Sequence, residues 1–292
     1  MESNLIRILF GRLLDALRIK DDASRRERSP LAGELKTDSL TVVTDGITIR
    51  GRFFFPSKRP DRQYPALIIC HGVPGSGKDR PSDDPGYEAL ADHFARLGLA
   101  SVVFNFRGCG DSGGNFDIMG WTRDLEAVLD QTLNTPYIDP TRVMLLGFSG
   151  GGAAAIYVSA DNPKVYGLAV AGTPADFTIF DGDPDELVAD FRQRGLFRDP
   201  EFPPNIETWL KGFEQIEPLR WIGQFKGQYL LVVHGDADEL IPVEHARDLF
   251  QHAPAGIGTL SIIPGGLHRL RLDPRCIEIL DAWFLKILGR GK

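Results

Sequence analysis

Short runs of β-branched and other apolar residues alternate with longer stretches of helical character, and this alternation restricts the fold more than any other feature of the chain. The runs are PALIICH (65–71), ASVVFNF (100–106), RVMLLGF (142–148), VYGLAVAG (165–172), QYLLVVHG (228–235) and GTLSIIPG (258–265). Continuous apolar strands of this kind suit a parallel sheet covered on both faces. The intervening segments around 85–97, 117–134, 150–160, 243–252 and 274–288 read as its crossover helices. Ahead of them, SLTVVT and ITIRGRFFFP flank Asp45-Gly46, a two-residue hairpin signal. Counting the hairpin, the chain is expected to form an α/β fold with an eight-stranded, mostly parallel sheet flanked by helices.

Residues 173–227 interrupt the rhythm. They are too long for an ordinary connection and hold Phe177, Phe180, Phe191, Phe197, Phe202, Trp209, Phe213 and Trp221. The expected organisation is therefore a core of 31–172 and 228–292 with a helical cap at 173–227, set over the strand ends where α/β sheets bind ligands. Phe177, Phe180 and Trp209 are the expected substrate contacts. The competing reading makes the insertion a surface excursion whose aromatics fill a satellite core.

Residues 1–30 read as an amphipathic helix and linker: Leu5, Leu9, Leu13 and Leu17 lie four apart, and Arg25, Arg26 and Arg28 follow. Mixed charges favour docking on the chain's own domain or on a homodimer mate over peripheral membrane contact through residues 3–19. Glu2, Arg7, Arg12 and Asp15 break up what would be a signal peptide's apolar region, and no run is long enough for an integral membrane segment. Three cysteines without CxxC spacing suit a reducing, cytoplasmic setting, and neither a metal nor a cofactor is expected. A net charge of −7 turns the reading away from nucleic acid.

G-x-S-x-G occurs twice, as Gly147-Phe-Ser149-Gly150-Gly151 and as Gly110-Asp-Ser112-Gly-Gly114. Ser149 directly follows a strand and directly precedes a helix, the turn that lifts a serine hydroxyl to the end of a sheet. Ser112 lies in a glycine-rich loop beyond its strand and reads as structural. GDSGG also appears in trypsin-like proteases, but those are double β-barrels with His and Asp upstream, against the βα pattern here. Gly72 to Lys78 matches a phosphate-binding loop except for Asp79 in place of Ser or Thr. The prolines that follow delay the helix such a loop requires, and nucleotide binding is discounted.

A serine nucleophile needs a base and a group to orient it. His268, in a glycine-flanked loop after the last strand, is the expected base. Asp238, in the loop after the preceding strand, is the expected orienting carboxylate, with Asp236 as runner-up. The order Ser149, Asp238, His268 is that of one hydrolase class and neither the trypsin nor the subtilisin order. The oxyanion donors are expected to be the backbone N–H groups of Gly150 and of Val73, since Pro74 has none to give.

Taken in order, HGVPG, NFRGCGDSGG, GFSGG, HGDADELIP and GGLH resemble the α/β-hydrolase superfamily over about residues 39–290. The likeness is to its esterase, acyl-peptidase-like and dienelactone-hydrolase-like members with a cap. The resemblance implies a Ser-His-Asp triad, an acyl-enzyme intermediate, no cofactor, and a structural role for Arg107 and its glycines. Serine replaces the cysteine of dienelactone hydrolases, and no propeller like that of the oligopeptidases is seen, which turns the expectation from peptides to small or medium, mainly apolar esters. Amidase, peptidase, thioesterase, lactonase or acyltransferase activity on the same residues, or ligand binding without turnover, stay open.

Overall fold

The computed structural model describes residues 35–56, 63–75, 84–180 and 182–289. The N-terminal helix and linker, with any partner contact through residues 3–19, and the Ser76–Asp83 part of the phosphate-loop-like segment lie outside the described residues.

The hairpin forms as β1 (Lys36–Thr44) and β2 (Ile47–Phe55) in antiparallel register around Asp45-Gly46. Both turn residues have positive φ, 53° and 73°, the signature of a type I′ turn that matches strand twist. The remaining strands are β3 (Tyr64–Cys70), β4 (Ala100–Phe104), β5 (Ile138–Phe148), β6 (Val165–Ala171), β7 (Tyr229–Gly235) and β8 (Gly258–Ile263). They stand in the order β1-β2-β4-β3-β5-β6-β7-β8, antiparallel as far as β4 and parallel from there on. β5 starts four residues before the apolar run at 142. Its polar lead-in pairs Ile138 with Tyr64 across an irregularity in the ladder, a long-range contact that composition does not report.

The helices are α1 (Gly86–Arg96), α2 (Ile118–Leu133), α3 (Gly150–Ser159), α4 (Pro184–Gln193), α5 (Ile206–Gln215), α6 (Pro218–Trp221), α7 (Glu244–His252) and α8 (Pro274–Ile287). Strand side chains alternate between two cores. Ala66, Ile68 and Cys70 face α2 and α3, whereas Leu67 and Ile69 face α1 and α8. Both faces are covered along β3, which is why Ala66 to Cys70 are apolar at every position. α2 starts where Asp117 caps the Met119 amide, and α8 where Asp273 caps that of Arg275 with Pro274 in the first turn.

The chain passes from β3 to β4 in one direction, then crosses back over β3 to β5 and proceeds the other way. The loops after β3 and β5 therefore leave neighbouring strand ends in opposite directions, which opens a crevice there.

The insertion 173–227 contributes α4, α5, α6 and two short 3₁₀ turns. Most of its aromatics form one core with the sheet: Phe191, Phe197, Trp209 and Phe213 are all buried around Phe116. Each is worth about 1.5–3 kcal/mol by burial.

Candidate active site

The turn after β5 is built by close approach. A Cβ on Gly147 would lie 2.4 Å from the Gly152 Cα, and one on Gly151 would lie 2.2 Å from the His71 carbonyl oxygen. Only glycine lets α3 start so near the strand that feeds it. Between them Ser149 is forced to φ 50° and ψ −126°, a sparsely populated conformation for a residue with a side chain. Its amide donates to the Ala171 carbonyl at 3.0 Å, and its own carbonyl accepts from Gly152 at 2.9 Å, so the strained backbone is held from both sides.

The loops after β7 and β8 bring the two other predicted side chains to this serine. His268 Nε2 lies 3.1 Å from Ser149 Oγ, and His268 Nδ1 lies 2.9 Å from Asp238 Oδ2. A carboxylate only accepts, so Nδ1 carries the proton and the Nε2 lone pair faces the serine hydroxyl. The Asp238 side chain is fully buried, and its Oδ1 accepts from the Leu240 and Ile241 amides at 2.9 Å each. Burial pushes this carboxyl up. Hydrogen bonds from His234, His268 and the Ile241 amide outweigh burial and hold it well below the usual carboxylate range. Asp236, the alternative, instead accepts from the Gly265 amide and shapes the loop that carries His268.

The segments expected to supply N–H groups also meet here. A Cβ on Gly72 would lie 3.0 Å from the Ser149 Cβ, and one on Gly150 would lie 3.0 Å from Val73 Cγ2. The Gly150 amide is at the start of α3, where amides have no partner within the helix. His71, at the end of β3, holds the loop that carries Val73 through both ring nitrogens. Its Nδ1–H donates to the Gly72 carbonyl at 2.8 Å, and its Nε2 accepts from the Phe106 amide at 3.1 Å. Burial drives its pKa down to about 4, against the Gly72 hydrogen bond, so it is neutral at pH 7. The one local signal is a histidine-glycine pair closing a buried strand. Its partner Phe106 is 35 residues away.

A cavity of about 1190 Å³ lies over these groups, with Ser149, His268, Val73, Phe177 and Phe180 among its walls. Trp209 is not among them, which corrects its expected substrate contact. Its indole donates to the Phe116 carbonyl at 3.3 Å and packs edge-on against Phe191 and Phe213, so its surface is spent on the core.

Ser112 is buried, donates to the Asn105 carbonyl and accepts from the Arg50 amide. Its hydroxyl is engaged in holding the loop. Arg107 forms a buried, forked pair with Asp124, while the Trp121 indole donates to its carbonyl. The cavity also touches Cys109, a thiol that burial pushes up to about 12. Among the described residues no cluster of acids, histidines and cysteines could hold a metal ion, and no helix is long and apolar enough to cross a membrane.

The family model of the prolyl oligopeptidase family matches residues 86–288. The chain belongs to that family. Human acylamino-acid-releasing enzyme is 23% identical over 222 residues, which cover 70% of this chain and 28% of that protein. The chain thus spans under a third of the length of such relatives. A monoacylglycerol lipase of Mycolicibacterium smegmatis is 28% identical over 239 residues, covering 69% of this chain and 84% of the lipase. Among solved structures, Est1E from Butyrivibrio proteoclasticus with ferulic acid bound superposes with a TM-score of 0.66. The two are 20% identical over 86% of this chain and 98% of that one. An α/β hydrolase, GrgF from Penicillium sp. sh18, gives 0.66 at 21% identity over 86% of this chain and 98% of its own. The expected α/β-hydrolase architecture is borne out.

Proposed function

We propose that the protein cleaves carboxylic esters of small or medium, mainly apolar substrates through an acyl-enzyme on Ser149. His268 Nε2 takes the hydroxyl proton as Oγ attacks the carbonyl carbon, and the resulting oxyanion receives the N–H groups of Val73 and Gly150. Collapse expels the alcohol, which leaves with the proton from His268. Water then attacks the acyl-enzyme with its proton passing to His268, and collapse returns that proton to Oγ. Asp238 keeps the imidazole in the tautomer that presents a lone pair to Ser149 and stabilises the imidazolium.

The observation that carries the reading is the 3.1 Å approach of His268 Nε2 to Ser149 Oγ with Nδ1 engaged by Asp238. The ester preference rests on the apolar side chains in the same cavity, Val73, Ile118, Phe177, Phe180 and Leu240, with 173–227 acting as the cap. It is in keeping with the lipase, most of whose length this chain matches. Buried, unpaired Cys70, Cys109 and Cys276 suit a cytoplasmic setting.

A second reading is hydrolysis of an acylated amino acid or short peptide, which the family membership and the acylamino-acid-releasing enzymes favour. The test combines intact mass and peptide mapping after fluorophosphonate treatment with p-nitrophenyl esters and acyl-amino-acid p-nitroanilides run side by side. One adduct on Ser149, absent from Ser149→Ala, and faster turnover of the esters are expected. Faster anilide turnover favours the second reading, and an adduct on Ser112 or none at all refutes the site.

A further inference from the structure

β7 points Leu230, Val232 and His234 toward the same core, and the first two are apolar as that position demands. His234 is fully buried as well, yet it is an imidazole, and its Nδ1 has no hydrogen-bond partner among the described residues. An apolar side chain would carry no such unsatisfied nitrogen. What the imidazole gains lies at its other nitrogen. Nε2 is 2.8 Å from the Ile241 carbonyl oxygen and 3.3 Å from Asp238 Oδ2. The carbonyl can only accept, so Nε2 carries the proton and aims it between these two oxygens.

We propose that His234 is a positioning residue for hydrolysis: its Nε2–H, anchored on the Ile241 carbonyl, fixes the Asp238 carboxylate against His268 and limits how basic that carboxylate becomes. The proposal rests on the reading of Ser149, His268 and Asp238 as the hydrolytic triad. Oδ2 then faces two imidazoles, His268 from the loop after β8 and His234 from the end of β7, while Oδ1 is held by the Leu240 and Ile241 amides. The segment 238–241 is tied at both ends, since Asp238 holds the Ile241 amide and His234 its carbonyl. An N–H on Oδ2 also makes the carboxylate a weaker base. The proton therefore stays on His268 Nδ1 when the imidazolium forms, and the imidazolium is less strongly stabilised at rest. The other titratable groups around the pair are Asp236 and Glu239 on the same loop, Arg269 and Arg271 beyond His268, and His245 with Asp176 on the α7 side.

The experiment follows the rate of fluorophosphonate attachment to Ser149 across pH, which needs no knowledge of the natural substrate. Wild type is compared with His234→Leu, which removes the donor, and with His234→Gln, whose Nε2–H lies the same number of bonds from the backbone. Rates are normalised to folded protein by thermal unfolding. His234→Leu is expected to label about 10- to 100-fold more slowly, the range that one hydrogen bond to a charged group commands. Its acid limb should move to higher pH, because the freed carboxylate holds the His268 proton more tightly. His234→Gln is expected to stay near wild type in both respects. Should His234→Leu not fold, His234→Asn, with its donor one bond short, carries the same expectation.

A Leu or Asn variant with the wild-type rate and acid limb overturns the proposal. So does a limb that moves down, or a Gln variant as slow as Leu. Wild-type protein that takes no label on Ser149 overturns the hydrolytic reading itself, whereas a labelled wild type with an unaltered His234→Leu overturns only the part given to His234.

Discussion

Replacing Ser149 by glycine is expected to stabilise the protein while abolishing its activity, and comparison with Ser149→Ala isolates the reason. At φ 50° and ψ −126° a side chain costs about 1–3 kcal/mol, because the backbone sits where Cβ crowds the neighbouring peptide groups. Alanine loses the hydroxyl and its contact with His268 Nε2 but keeps Cβ, so it keeps that cost. Glycine loses both. Against the gain stands the greater freedom of glycine in the unfolded chain, about 0.4–1 kcal/mol. The difference leaves glycine ahead of alanine by about 1 kcal/mol, or roughly 1–2 °C in Tm for a chain of 292 residues. Differential scanning fluorimetry of the two variants, backed by urea unfolding with equal slopes, reads this directly. Both variants should be inactive toward p-nitrophenyl esters. Glycine equal to alanine, or below it, would refute the idea that the turn stores strain at the nucleophile.

Ser149→Ala and His268→Ala are each expected to lower kcat at least about 10³-fold, with a double variant no worse than the singles, measured on one ester. Arg107→Met strands the buried Asp124 and should cost about 3–5 kcal/mol in urea unfolding, part of which Arg107→Met combined with Asp124→Leu restores. Trp209→Ala should cost about 3–5 kcal/mol of stability and leave KM for a short ester unchanged in the folded fraction, whereas Phe180→Ala should raise KM with a smaller loss of stability. The hydrogen bond that His93 Nε2–H donates to Asp281 Oδ1 at 2.7 Å raises that imidazole above its ordinary value despite partial burial. The folded form therefore binds this proton more tightly than the unfolded one. The stabilisation is fully present below the ordinary histidine pKa and lost as pH rises through the raised one. The Tm advantage of wild type over His93→Gln should accordingly be greatest in mild acid and fade above neutrality. It should be small, because the His93 side chain is 39% exposed.

Which parts of this molecule could be read from its residues depends on whether the controlling contact is local. Strands buried on both faces leave a composition that no amphipathic element shares, so β3 to β7 were legible, as was the Asp45-Gly46 turn that sets the hairpin. That Ser149, Asp238 and His268 meet was legible because each occupies a loop at the end of its own strand, with their chain order as independent support. The aromatic insertion was legible only halfway. Phe177 and Phe180 line the cavity, but composition could not say that Trp209 would be spent on Phe116, 93 residues earlier in the chain.

The histidines show the same division from the other side. His268 is marked by its place in the chain, whereas His71 and His234 are defined by which backbone group meets which nitrogen, and the Phe106 amide and the Ile241 carbonyl arrive from turns of the chain that periodicity cannot register. The spatial neighbour of β5 is also hidden. Because β3, not β4, lies beside it, the His71–Val73 loop comes to stand against Ser149. The reversal of strand order thus supplies what no single motif contains: two backbone segments, more than seventy residues apart in sequence, that meet beside one serine. With the N–H groups of Val73 and Gly150 serving the oxyanion, shortening the loop ahead of Val73 should damage kcat far more than binding, even though it removes none of the three side chains.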